Sequence, residues 1–143
     1  MSLFAIADLH LSLGTNKPMD AFPGWNGYVR RLEDNWRRLV ADGDTVVVAG
    51  DVSWGMSLEQ AGADLAFLHS LPGRKILMKG NHDYWWTTRR KMDAYLEEHG
   101  LTSVSILHND AYTVDDSLAV CGTRGWFLEE DQKPHNAKVL NRE

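Results

Sequence analysis

The chain has 143 residues, 43% of them hydrophobic and 24% charged, with a formal net charge of −5. Such a length and balance suit one soluble domain with its own core and exclude a disordered or low-complexity chain. The acidic balance excludes a wholesale basic footprint for nucleic acid and disfavours long nucleic acid as a partner.

Cys121 is the only cysteine, so no intrachain disulfide is available. It follows an apolar run and reads as a small buried hydrophobe. The amino terminus, Met1 to His10, lacks a basic region before its apolar run and meets Asp8 early, so it does not read as a signal peptide. No apolar stretch is long enough to span a membrane, and a cytoplasmic location is expected. With no repeat and no Pro/Gly/Ser linker, residues 1–143 are expected to form a single domain.

In chain order, the sequence alternates strands and helices. Leu3–Ala7, Thr45–Ala49 and Lys75–Met78 are short apolar runs that end at Asp8, Gly50-Asp51 and Gly80-Asn81. Such runs suit parallel strands covered on both faces. Between the first two, Asn26–Val40 carries Val29, Leu32, Trp36, Leu39 and Val40 at helical spacing, with Arg30, Arg31, Arg37 and Arg38 towards solvent. A second helix should start at Ser57, which with Gln60 makes a capping box, and bury Leu58, Ala61, Leu65 and Leu68. A third fits Thr88–His99, with Met92, Tyr95 and Leu96 inward and Gly100 as its stop. Short strands are then expected at Ser103–Leu107, Ala111–Val114 and Leu118–Cys121, separated by Asn109-Asp110 and Asp115-Asp116 turns. From Phe127 the chain turns polar and irregular, and Ala137–Glu143 reads as the first turns of a helix.

The residues able to do chemistry follow the strands. Asp8 and His10 come after the first, Asp51 after the second, and Asn81, His82 and Asp83 after the third. Open parallel sheets bind ligands just beyond the carboxyl ends of their strands, so the three groups should meet at one edge. Carboxylate and imidazole together suit a divalent ion such as manganese, iron, zinc or nickel. Asp8 and His10 are two apart, which in extended backbone turns both side chains the same way. Asp51 can offer one oxygen to each of two ions, and Asn81 an amide oxygen to the second. Two ions roughly 3.5–4 Å apart can clamp both oxygens of a phosphoryl displacement and supply hydroxide at neutral pH for in-line attack. His82 can then protonate the leaving oxygen, with Asp83 fixing its tautomer.

Asp8-Leu9-His10, Gly50-Asp51 and Gly80-Asn81-His82-Asp83 resemble, in order and spacing, the first three signature blocks of the calcineurin-like metallophosphoesterase superfamily. The segments Gly50–Met56 and Cys121–Trp126 are further similar to a bacterial subgroup of stand-alone phosphoesterases. The resemblance implies an α/β fold, a sandwich of two mixed sheets between helices. It implies that Asp8 and His10 bind a first metal, that Asp51 bridges, and that Asn81 binds a second metal and touches the phosphate. His82 would be the general acid, oriented by Asp83, and the substrate a phosphate mono- or diester. Arg124, between two glycines, is a further candidate for substrate contact. The superfamily fold also serves as a non-catalytic scaffold with an eroded site, and intact Asp8, His10, Asp51, Asn81 and His82 favour the enzyme.

The family pattern continues with a later strand His and a Gly-His-x-His block, and this chain has no Gly-His dipeptide. His108 and His135 lie outside a matching context. The chain is therefore expected to be a truncated, partial sandwich whose second metal site keeps only Asp51 and Asn81, so that the chain itself would be an inactive fragment of the enzyme. Apolar surface left uncovered would favour self-association.

Among the remaining residues, Arg89, Arg90 and Lys91 read as a helix surface. His69 and His99 sit near helix C-termini, where the dipole accounts for them. Trp54, Trp85, Trp86 and Trp126 fit either the core or a cleft wall.

Overall fold

The computed structural model describes residues 1–123. Four parallel strands, β1 (Leu3–Ile6), β2 (Thr45–Val48), β3 (Arg74–Leu77) and β4 (Val104–Ile106), lie side by side in that order. Helices α1 (Tyr28–Leu39), α2 (Leu58–Ser70) and α3 (Arg89–Glu98) make the crossovers, and an antiparallel pair, β5 (Asp110–Asp115) and β6 (Leu118–Gly122), follows. The expected α/β class and the order of its elements as far as β6 hold, with shifts of one or two residues at element ends, and the helix expected over Ala137–Glu143 lies outside the described residues.

Side-chain alternation divides the sheet into two faces. Val46, Val48, Leu77, Val104 and Ile106 join the helical core with Trp36, Leu65, Leu68 and Met92. Val47, Ile76 and Leu107 turn the other way and meet Met78, Tyr112 and Val120, so the β5–β6 ribbon covers that face. The central strands are thus buried on both sides, as continuous apolar runs require. β1 differs from expectation: it is an edge strand, half exposed along its length, with Phe4 and Ile6 against the helical core and Leu3 42% exposed.

Local signals set the helix starts. The Ser57 hydroxyl accepts from the Gln60 N–H at 3.3 Å, and the Gln60 amide oxygen accepts from the Met56 N–H at 2.9 Å, so the reciprocal arm closes one residue earlier than a regular capping box. Thr88 caps α3 through the Lys91 N–H. On α1, Trp36 is buried and donates its indole N–H to the Pro72 carbonyl, whereas Leu39, expected inward, is exposed because the chain turns to extended backbone at Val40. Cys121, expected in the core, is exposed. It alternates with Val120, and Val120 takes the face that packs on Leu107.

Arg89 ties α3 to the ribbon. It pairs with Asp93 at 2.7 Å and Asp110 at 3.2 Å and donates to the Tyr112 hydroxyl at 2.8 Å. His69 meets the Ser103 hydroxyl, and the His99 ring stacks on Tyr95, so both act as parts of the scaffold. Among the described residues, no helix is long and apolar enough to cross a membrane.

Candidate metal centre

The loops after β1 and β2 continue side by side beyond the sheet. The N–H groups of Asp8, His10 and Leu11 donate to the carbonyls of Gly50, Asp51 and Val52, and the Trp54 N–H returns to Leu11. Holding this course twists the backbone: Asp8 (φ 57), His10 (φ 44) and Asp51 (φ 51) all occupy the left-handed region that side chains other than Gly, Asn and Asp rarely enter. Asp8 and His10 therefore converge through left-handed turns, and the extended backbone expected from their spacing is absent.

Gly50 and Gly80 permit the approach of the β2 and β3 loops. A Cβ on Gly50, itself at φ 104, would lie 2.7 Å from the Gly80 Cα. A Cβ on Gly80 would lie 2.1 Å from Asp51 Oδ1. No side chain fits at either point.

Asp51 sits at the centre of the cluster and is 6% exposed. Its Oδ1 accepts from the His82 backbone N–H at 2.9 Å, and its Oδ2 is 2.8 Å from His82 Nδ1. His10 Nε2 lies 3.7 Å from both Asp51 Oδ2 and Asp8 Oδ1. Burial pushes the Asp51 carboxyl up, but the His82 N–H, the His82 ring and the nearby His10 outweigh it and hold the group below the ordinary carboxylate range. The His10 ring stacks on Trp54 at 4.8 Å, and the Tyr28 hydroxyl anchors the His10 backbone by donating to its carbonyl at 2.7 Å. Burial, with Asp64 and Asp20 nearby, pushes the Tyr28 phenol up to about 12. It stays a neutral donor.

These residues fit a divalent ion. His10, Asp51 and His82 each offer a donor atom, all within 4.8 Å of one another. Donors bonded at about 2.0–2.2 Å to one ion stand about 3–4 Å apart, and the 3.7 Å separations are too long for hydrogen bonds. Among the described residues, the buried His10 Nδ1 has no hydrogen-bond partner that would fix which ring nitrogen carries the proton. Asp8 is largely exposed at the mouth of the cluster. The exposed Asn81 places its amide nitrogen 3.0 Å from His82 Nδ1.

Asp83 does not serve His82. Its carboxylate is 1% exposed and accepts from the N–H groups of Val52, Ser53 and Gly80 and from the Trp85 indole, at 2.8–3.2 Å. It clasps the β2 and β3 loops together, and Asp51 takes the contact to the His82 ring. Trp85 is accordingly core, while Trp54 walls the site. Arg124, with Trp126 and His135, lies outside the described residues.

Sequence reasoning missed Asp64. It is fully buried on α2, where it accepts from the Leu13 N–H at 2.7 Å and the Ser53 hydroxyl at 2.5 Å and so ties the loops after β1 and β2 to the helix. Its signal was present: Asp64 falls within the apolar stripe of Ala61, Leu65 and Leu68, the face that must be buried.

The arrangement has a counterpart among known folds. The crystal structure of AQ665, a protein of unknown function from Aquifex aeolicus, matches with a TM-score of 0.53 at 16% sequence identity, over 99% of this chain and 72% of that one. No curated protein matches the chain significantly. The family model for calcineurin-like phosphoesterases matches residues 1–140, which takes in every loop that builds the cluster. Its parallel sheet, its ribbon layer and its carboxylate-imidazole cluster at the strand ends agree with that match, and the chain belongs to the calcineurin-like phosphoesterase family.

Proposed function

We propose that this chain carries the metal-binding part of a hydrolase that cleaves phosphate mono- or diesters. The observation that carries the reading is the position of Asp51, whose carboxylate lies against His10 and His82 at the carboxyl ends of β1, β2 and β3. In this reading Asp8, His10 and Asp51 hold a divalent ion, manganese, iron, zinc or nickel, and Asp51 with Asn81 faces a second. Bound ions would supply Lewis acidity and a water of lowered pKa. Asn81 orients the phosphate from the loop after β3.

His82 handles the proton. Its Nδ1 is held by the Asp51 carboxylate at 2.8 Å, which fixes the ring. The side chain keeps 39% of its surface open, enough for Nε2 to give its proton to a leaving oxygen. Asp83 acts through the loops and touches neither substrate nor His82.

The test is manganese-dependent hydrolysis of a chromogenic phosphodiester, with Asp51→Asn as the control, beside manganese titration followed by calorimetry. Turnover and binding that both vanish in Asp51→Asn support the reading. Manganese binding without turnover of mono- or diesters would leave either a non-catalytic binding module on the same fold or an inactive fragment of the enzyme, and turnover gained in a version extended through a Gly-His block would select the fragment.

A further inference from the structure

Beside the cluster lies a cavity of about 390 Å³ lined by Lys17, Pro18, Met19, Phe22 and Trp54. Trp54 belongs to both places. Its ring stacks on His10 at 4.8 Å and lies 5.1 Å from His82, and its indole N–H points at the Met19 sulfur at 3.3 Å. Phe22, 56% exposed, is a large ring left in water, held where a short 3-10 turn, Met19–Ala21, ends. Lys17 sets its ammonium 5.9 Å from the Trp54 ring and 3.5 Å from the Trp54 carbonyl, the one positive charge of this wall among the described residues.

We infer that this wall is the leaving-group subsite, and that it selects phosphate esters bearing a planar aromatic group, as in a nucleotide or an aryl phosphate. The inference rests on the hydrolase reading and adds the substrate class. Two aromatic rings and a thioether make a surface suited to a flat, polarisable ring. Trp54 is contiguous with His10, so a ring lying there is a few ångströms from the cluster that would take the phosphate. Lys17 gives the acidic protein a local cation beside an anionic ester. Base stacking of this kind tolerates different rings, because every one presents a π face.

The test compares kcat/KM for adenosine 5′-monophosphate and ribose 5-phosphate in the manganese-loaded protein. Both expel a similar alkoxide, so the difference reports the ring. 1-Naphthyl phosphate against phenyl phosphate repeats the comparison for aryl esters. A preference of about tenfold for the larger ring system in either pair is expected from stacking, and Phe22→Ser should reduce it at least threefold, roughly. Preference in the first pair assigns a nucleobase, and in the second alone an aryl group. A separate readout needs no turnover: millimolar adenosine should quench tryptophan fluorescence of the metal-free protein, and less so in Phe22→Ser. Equal kcat/KM within both pairs overturns the inference while leaving the hydrolase reading intact, whether or not adenosine quenches. Quenching that depends on Phe22, with no hydrolysis of any ester, keeps the ring-binding wall and overturns the hydrolase reading. Neither quenching nor hydrolysis overturns both.

Discussion

The carboxylate of Asp51 grips His82 twice, through the backbone N–H at 2.9 Å and through ring Nδ1 at 2.8 Å. One side chain thereby sets both the course of the β3 loop and the orientation of the proposed acid. His82→Ala should retain manganese binding within about tenfold and lose about 10²–10⁴ in kcat, the usual contribution of a positioned acid. Calorimetry and single-turnover hydrolysis together check this. A comparable loss of manganese affinity would make His82 a ligand.

Asp83 carries four hydrogen bonds in the buried space between two loops. Asp83→Ala strands those donors, and at about 1–3 kcal/mol for each unsatisfied buried group the variant should be severely destabilised or unfolded. Trp85→Phe removes one donor and puts a smaller ring in a buried site, costing about 1 kcal/mol for the hydrogen bond plus roughly 1 kcal/mol or more for the cavity left behind. Urea denaturation of both variants measures the difference. An Asp83→Ala protein with normal stability and no turnover would restore a direct catalytic role.

Asp64 predicts a contrast between two substitutions. Asp64→Asn keeps an acceptor for the Leu13 N–H and offers a donor to the Ser53 oxygen, so it should fold normally. Asp64→Ala strands both partners and should cost about 2–4 kcal/mol. Burial pushes the Asp64 carboxyl up against the lowering effect of Ser53 and Leu13, so the folded chain holds this proton more tightly than the unfolded chain. The contribution of Asp64 is therefore fully present below the ordinary carboxylate pKa of 3.8 and declines as pH rises through the raised folded value. Subtracting the Asp64→Asn stability curve from that of the parent isolates it.

Lys75 points the other way. Its ammonium is fully buried on β3 and donates to the Leu71 and Gly73 carbonyls, both at 2.6 Å. Burial lowers its pKa from 10.5 to about 8, against the opposing pull of Asp42. Between those values the unfolded chain holds a proton that the folded chain has released, so stability should rise with pH across that window. A neutral amine still has two N–H groups for its two carbonyls. Urea midpoints from pH 7.5 to 9.5, below the onset of tyrosine ionisation near pH 10, should climb relative to those of Lys75→Met. Parallel curves would refute the assignment.

Gly80→Ala should be poorly tolerated, because its Cβ would fall 2.1 Å from the Asp51 carboxylate. Displacing that oxygen disturbs both contacts to His82. The same Cβ would lie 2.2 Å from the Asp51 backbone nitrogen, so a large drop in thermal stability should accompany the loss of manganese affinity, and near-parent stability would count against the close approach of the two loops.

The strands, the helices and the gathering of Asp8, His10, Asp51, Asn81 and His82 at one sheet edge were legible because apolar periodicity and strand-end positions are local properties of sequence. Asp83 was misassigned for a physical reason: adjacency to His82 in sequence says nothing about which backbone N–H groups a buried carboxylate must satisfy, and those come from the β2 loop. Leu39 and Cys121 were misplaced because apolar character alone does not say where a helix ends or which face of a two-stranded ribbon meets the sheet. The exposed half of β1 follows from strand order, which the sequence pattern does not encode.

Asp8, His10 and Asp51 occupy left-handed backbone at a cost of order 1 kcal/mol or more each. Glycine would relieve that cost at every one of these positions. At Asp51 that relief would be offset by the loss of both contacts to His82, and at His10 by the loss of the stack on Trp54, so only at the exposed Asp8 should selection for heat resistance alone favour glycine. If Asp8 holds an ion as proposed, that substitution would exchange a ligand for stability, and glycine at position 8 in a survivor of a thermal screen would record the conflict.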